Sequence, residues 1–382
     1  MPSKSERQQE IPFPVTTNRA DAPWIERPAV GPGGKLFYHL KDGKQYWANN
    51  LPQITEPVFS SDSFQITAPL KVYFDFTYRC NLECRHCITE SSPLVDISTE
   101  LPTPRILELT SELADIGALE IATAGGEPFI HPDWEDIFTQ VKSAGMNLIV
   151  TTNGTLLTPR KVEKLKDINP LEARVSFEGG PSFHDRVRGN GAYSRAMRGL
   201  GNLVEAGIKS TARLTLCRGA NEELQVLFSD LTKIGVQTVK IAVVKQAGRA
   251  AVEAFNELWD YAPDGEAAMW LLSLGKKHGL EVQLSADDFP VSSQDANDPK
   301  LRCPERSNCG AGFESCYVSP NGEVLGCVTM PNLVFGLLHT ESFLSVWQGK
   351  LAESYRQLAE AASERRLCDS LCNANDKLRR EK

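Results

Sequence analysis

The chain predicts an α/β protein built on a partial (β/α)6 barrel, with a small hairpin segment before it and a cysteine-rich extension after it. Three observations carry this prediction. Between residues 71 and 280, short runs rich in branched apolar residues alternate with amphipathic stretches of helical length, the pattern of a parallel sheet with helices outside. The polar signatures of that region fall where the strands should end. Beyond residue 280 the alternation stops, and six of the ten cysteines follow.

Residues 1–70 are rich in proline and polar side chains, and the stretch up to about Pro32 is expected to be mobile. Residues 35–40 and 45–49, separated by Lys41-Asp42-Gly43-Lys44, read as a hairpin. That hairpin could cap the barrel, form part of a peptide-docking surface, or simply pack behind a tail. In the core, strands are expected over 72–77, 119–124, 146–152, 173–177, 210–217 and 238–244. Helices are expected over 103–116, 131–144, 159–166, 193–206, 221–234 and 266–278. Six repeats make an incomplete, TIM-like barrel, in which functional groups gather at the carboxyl ends of the strands. After a polar stretch, 285–299, the segment from Tyr317 to Cys327 reads as a second hairpin turning at Pro320-Asn321-Gly322. It delivers Cys327 beside whatever Cys309 or Cys316 holds. A helical stretch, 344–364, then leads to Cys368 and Cys372. The expected domains are 1–70, 71–280 and 281–382.

Composition sets the bounds. The 382 residues, 41% hydrophobic and 24% charged, are globular usage. No apolar run is long enough to cross a bilayer and no signal-peptide core appears, so a cytoplasmic protein is expected. Ten cysteines in that setting point to metal or redox chemistry rather than disulfides. A net charge of −8 argues against nucleic acid as a general partner. Arg186-Val187-Arg188 is the candidate local basic patch, with a solvated loop as the plainer reading.

Cys80, Cys84 and Cys87 occupy a run of eight residues directly after the first core strand. Three thiolates on one loop can hold a metal or an iron–sulfur cluster and leave one position open, which is the mark of chemistry rather than support. Half of a zinc site is the competing reading. The second strand runs into Gly125-Gly126-Glu127-Pro128, the third into Asn153-Gly154, and the fourth into Ser176-Phe177-Glu178-Gly179. The C-x3-C-x2-C spacing, with His86 before the last cysteine and these segments following in order at strand ends, resembles the radical S-adenosylmethionine (SAM) enzymes.

The resemblance implies that Cys80, Cys84 and Cys87 hold three irons of a [4Fe–4S] cluster whose open iron takes the amino and carboxyl groups of SAM. An electron from the cluster would cleave SAM to methionine and a 5′-deoxyadenosyl radical that removes a hydrogen atom from the substrate. It places Gly125 and Gly126 against the methionine part of SAM, with Glu127 supplying negative charge for the ammonium. Asn153 stands at another SAM-facing strand end. Ser176 and Glu178 would approach the ribose, although Glu178 stands where the family has aspartate. Arg188 and Arg213 are candidates for pairing with a carboxylate of SAM or substrate. On the strand carrying Arg213 and Thr215, Cys217 shares their face by alternation. It could donate a hydrogen atom to a substrate radical, or be a small apolar residue.

The C-terminal extension resembles the SPASM and Twitch domains that carry auxiliary iron–sulfur clusters. Cys309, Gly322 and Cys327 match the characteristic spacing, and Cys368 and Cys372 would complete one auxiliary cluster, of the [4Fe–4S] type by analogy with the family. The run C-x2-C-x5-C-x3-C of a full SPASM domain is absent, so one auxiliary cluster is expected rather than two. Cys303 and Cys316 could replace a ligand or begin a second cluster, and a zinc knuckle is the alternative. Enzymes with such extensions mostly mature peptides, by crosslinking, epimerisation or backbone excision. A precursor-peptide substrate, a separate leader-binding protein and an electron donor such as flavodoxin or ferredoxin are the partners this implies. A small-molecule substrate such as a sugar or tetrapyrrole is the alternative, and a non-catalytic iron–sulfur or zinc protein a third.

Overall fold

The computed structural model describes residues 68–251, 265–285 and 310–361, preceded by three short strands. Those strands, β1 (Trp24–Pro28), β2 (Lys35–His39) and β3 (Gln45–Ala48), form an antiparallel sheet in the order β1-β2-β3. The expected hairpin is β2 and β3. The extra strand, β1, lies in the stretch the sequence left as mobile, because its order comes from pairing with β2 rather than from a local pattern.

Among the described residues the main sheet has ten strands. Seven form its parallel part: β4 (Lys71–Phe74), β5 (Glu120–Thr123), β6 (Asn147–Thr152), β7 (Glu172–Phe177), β8 (Ser210–Leu216), β9 (Thr238–Val243) and β10 (Glu281–Leu284). Each pairs in parallel with the next. The arc does not close. The free edge of β4 instead takes β11 (Ser315–Val318) in parallel, followed by the antiparallel strands β12 (Glu323–Leu325) and β13 (Val334–Leu337). The C-terminal hairpin is thus hydrogen-bonded into the barrel sheet. Strand β10 continues the parallel arrangement past residue 280, where the sequence pattern changes.

Between the strands lie α1 (Thr103–Asp115), α2 (Trp134–Ser143), α3 (Pro159–Ile168), α4 (Pro181–Arg188), α5 (Ala192–Glu205), α6 (Leu224–Lys233) and α7 (Gly265–His278). Their apolar stripes face the sheet: α1 buries Ile106, Leu109 and Leu113, and α2 buries Ile137, Phe138 and Val141. Each such side chain contributes about 1.5–3 kcal/mol by leaving water. Helix α4 was not among the expected helices. Proline at the first helical position is in fact compatible with a helix start. The expected helix over 344–364 divides at Gly349 into α8 (Phe343–Trp347) and α9 (Lys350–Ala361).

The amino ends of the strands carry a charge cluster. Glu172 accepts hydrogen bonds from Lys240 Nζ at 2.8 and 2.9 Å, from Arg174 Nε at 2.8 Å and from Thr211 Oγ1 at 2.5 Å. These partners hold its carboxyl down at about 2 despite burial. The carboxyl ends are left for the site. No helix among the described residues is long and apolar enough to cross a membrane.

Candidate active site

After β4 the chain runs through Asp75 and Thr77 to the three-cysteine loop. Cys80 and Cys84 are buried and Cys87 is half-buried. The loop is clamped from the turn after β9. Arg249 donates from Nε to Cys84 O at 2.8 Å and from a terminal nitrogen to Ser91 O at 2.7 Å, while its backbone N–H reaches Cys87 O at 3.0 Å. Gly248 precedes it with φ +57°, and a Cβ there would lie 2.4 Å from the carbonyl oxygens of both Cys87 and Ile88. Neither residue carries a motif signal, because the contact joins segments about 160 residues apart.

Burial pushes the Cys80 thiol up to about 12 and the Cys84 thiol to about 11, the nearby Arg188 guanidinium working against it at Cys84. Such thiols become ligands by losing their protons, which are released when a metal centre binds the thiolates. Among the described residues no three His, Cys, Asp or Glu side chains converge on a point that would hold a single metal ion.

The glycine turn sits against the segment between β4 and the cysteines. Gly125 has φ +59°, and a Cβ on it would lie 2.8 Å from Asp75 Cβ; a Cβ on Gly126 would lie 2.1 Å from Arg79 O. Gly126 N–H donates to Thr77 O and Glu127 N–H to Arg79 O, each at 2.9 Å. Asp75, 3% exposed, accepts from Ala124 N–H at 2.8 Å on one oxygen and from Tyr317 O–H at 2.9 Å on the other. Burial raises its carboxyl to about 6. Sequence reasoning passed over Asp75, although an acid at the end of an apolar strand was a signal to be had.

Glu127 departs from expectation. Its carboxylate is fully buried and accepts from Thr152 Oγ1 at 2.7 Å, Asn153 N–H at 2.8 Å and Phe129 N–H at 3.4 Å. It ties the glycine turn to the end of β6 instead of presenting charge to a ligand. Asn153 donates from Nδ2 to Asn81 Oδ1 at 2.9 Å and lies 3.8 Å from Cys80 Sγ, so it braces the cysteine loop as well as lining the cavity.

Glu178 is likewise turned inward. It accepts from Arg188 Nε at 2.6 Å and pairs with His86 Nε2 at 3.1 Å, with His184 Nδ1 at 3.3 Å. Arg188 and these histidines hold its carboxyl far below the usual range even though it is fully buried. The guanidinium of Arg188 is raised in turn, chiefly by Glu178 acting against desolvation. The supposed basic patch is therefore this: Arg186 exposed over the Phe183 ring, Val187 buried, and Arg188 anchored inside by Glu178.

These segments enclose a cavity of about 280 Å³ at the carboxyl ends of the strands. Its walls include the three cysteines, His86, Gly125, Gly126, Asn153, Ser176, Arg188 and Arg213, together with Thr89, Thr215 and Lys245. Among the described residues its lining contains no acidic side chain. Cys217 is not part of it. Arg213 and Thr215 face the cavity, but β8 ends at Leu216, and Cys217 packs fully buried in the apolar core with Sγ 3.6 Å from Thr215 O. The alternation that placed Cys217 on their face stops with the strand.

In the C-terminal region Cys327 is half-buried at the end of the hairpin, with Thr329 Oγ1 donating to its Sγ at 3.2 Å. Cys316 lies within β11, fully buried among core side chains, and its surroundings are those of an apolar residue. Cys303, Cys309, Cys368 and Cys372 lie outside the described residues.

An open parallel barrel with three spaced thiols and a glycine turn at one edge is the arrangement expected of a SAM-dependent iron–sulfur protein. Comparison with known families agrees: residues 74–231 match the radical SAM superfamily, and residues 309–374 match the SPASM iron–sulfur cluster-binding domain. The chain belongs to the radical SAM superfamily and is a radical SAM enzyme with a SPASM domain. Its cofactors are a [4Fe–4S] cluster, SAM and an auxiliary iron–sulfur cluster. It is similar to the AdoMet-dependent heme synthase of Methanosarcina barkeri, with 28% identity over 307 residues, covering 77% of this chain and 85% of that protein. It is also similar to the mycofactocin maturase MftC of Mycobacterium tuberculosis, with 25% identity over 311 residues, covering 78% and 74%. In fold it resembles Streptococcus suis SuiB bound to the precursor peptide SuiA, with a TM-score of 0.68 at 12% identity over 87% of this chain and 89% of that one.

Proposed function

We propose that the protein is a peptide-modifying radical SAM enzyme that matures a ribosomally made precursor peptide in the cytoplasm. The observation that carries this reading is the similarity to a maturase over 78% of this chain. When bound, the cluster and SAM supply the one-electron cleavage that generates the hydrogen-abstracting radical.

The chain's own residues bind, orient and shield. Cys80, Cys84 and Cys87 are the proposed ligands, clamped by Arg249. The Gly125-Gly126 turn lines the cavity, and with its N–H groups held by Asp75 and Thr77 its carbonyl groups are the proposed partners of the ammonium at the methionine end of SAM. Ser176 is the proposed ribose contact, and Arg213 and Lys245, which also line the cavity, are proposed to neutralise a carboxylate of SAM or substrate. Glu127 and Glu178 act behind the wall, fixing Asn153 and Arg188. Cys327, Cys309, Cys368 and Cys372 are proposed to hold the auxiliary cluster. Buried Cys217 is badly placed to give a hydrogen atom to substrate, so crosslinking or backbone excision fits better than epimerisation. A leader-binding protein and a flavodoxin or ferredoxin are the proposed partners.

A second reading, a tetrapyrrole substrate, is favoured by the similarity to the heme synthase. One experiment separates the two. Anaerobically reconstituted protein is assayed with SAM and dithionite for 5′-deoxyadenosine, in the presence of synthetic peptides encoded beside its gene or of an iron coproporphyrin. Stimulation and a mass change in a peptide support maturation. Turnover of the porphyrin alone overturns it.

A further inference from the structure

We infer that Tyr317, on the first strand of the SPASM region, is a positioning residue for SAM, acting through Asp75 on the Gly125-Gly126 turn. This rests on the reading that the turn takes the methionine end of SAM. The inference begins with the sheet. β11 lies in register beside β4, with Tyr317 opposite Tyr73 and Val318 opposite Phe74, and Asp75 N–H continues the ladder to Val318 O at 3.1 Å. The C-terminal region therefore borders the strand whose end becomes both the seat of the glycine turn and the cysteine loop.

The side chains complete the link. Tyr317 is 6% exposed and gives its hydroxyl proton to one oxygen of Asp75, while the other oxygen holds Ala124 N–H, the residue directly before the turn. Gly125 N–H also reaches Asp75. The hydroxyls of Tyr78 and Ser319 adjoin this pair, so the carboxylate sits in a polar knot inside the interface. A buried carboxylate is held in one orientation by the donors on both its oxygens. Removing the Tyr317 hydroxyl leaves one oxygen short of a donor, and the carboxylate is free to turn away from Ala124 and Gly125. Because Gly125 is packed within van der Waals distance of Asp75, a shift there moves the turn itself. The hairpin that carries Tyr317 runs on to Cys327, so an auxiliary cluster that orders the hairpin also sets this contact.

The test is SAM affinity, measured by equilibrium dialysis on the anaerobically reconstituted full-length chain, alongside iron per chain, thermal unfolding and kcat at saturating SAM. For Tyr317→Phe, SAM binding should weaken roughly five- to tenfold, the loss of one charge-assisted hydrogen bond. Iron content should stay as in the wild type, the unfolding temperature should fall modestly for the lost buried hydrogen bond, and kcat at saturating SAM should fall less than the affinity does. Asp75→Asn should weaken binding similarly, and the double variant should be no worse than either single one, since both cut the same link. Unchanged affinity in Tyr317→Phe, or additive losses in the double variant, would overturn the inference while leaving the SAM site intact. A wild-type protein that takes up iron but binds no SAM would overturn the underlying reading and the inference with it.

Discussion

Arg188 donates through Nε to Glu178 at 2.6 Å, in a setting where the carboxylate is fully buried and the guanidinium side chain is only 10% exposed. The pair joins the end of β7 to the end of α4, and it sets positive charge beside Cys84. Glu178→Gln keeps the shape but removes the negative charge, leaving Arg188, and His86 when protonated, without their counter-ion. A loss of about 3–5 kcal/mol is expected, the usual cost of stripping one partner from a buried ion pair. Chemical denaturation of the anaerobic protein measures it, and a change under about 1 kcal/mol would mean the pair behaves as a surface one.

Asp75 should give the protein a pH dependence of stability opposite in sign to that of most carboxylates. Its folded value, about 6, lies above its ordinary value of 3.8. The folded state therefore binds the proton more tightly, so stability is lost as pH rises between those values. The total is about 3 kcal/mol, with roughly half falling between pH 5 and pH 7. Relative to the wild type, Asp75→Asn should thus grow more stable by about 1.5 kcal/mol between pH 5 and pH 7, as urea unfolding at the two values would show.

Gly248→Ala should damage cluster retention without touching a ligand. A left-handed φ costs a non-glycine residue about 1–2 kcal/mol, and the added methyl would meet the Cys87 and Ile88 carbonyls. Arg249→Ala should act in the same direction by freeing Cys84 O and Ser91 O. Both variants should take up less iron on reconstitution and release it faster to a chelator than the wild type; equal release rates would show that the clamp is dispensable.

Cys217→Ala separates the core reading from the hydrogen-donor reading. Loss of a small buried side chain costs about 1 kcal/mol, and both SAM cleavage and product formation should persist. Product lost while 5′-deoxyadenosine still accumulates would return Cys217 to the chemistry.

Much of the site was readable in the chain because its signals are local. The spacing of Cys80, Cys84 and Cys87 and the paired glycines each need only a few neighbouring residues, and the strand ends that carry them follow from alternation and turn chemistry. Side-chain direction was not local. Glu127 and Glu178 both looked like ligand contacts, yet Glu127 answers buried donors on β6 and Glu178 answers Arg188 and two histidines. A buried polar group goes to whichever partner satisfies it, and those partners lie elsewhere in the chain.

By itself, then, the sequence determined the alternating strands and helices, the cysteine loop and the glycine turn, since backbone period and residue spacing encode them directly. Only the tertiary structure decided that β11 would join the open edge of β4, that Tyr317 would reach Asp75, and that Gly248 and Arg249 would close over the cysteines. Each of these brings together segments separated by more than 150 residues, and such contacts are fixed by how sheets and helices pack, which no short window of residues contains.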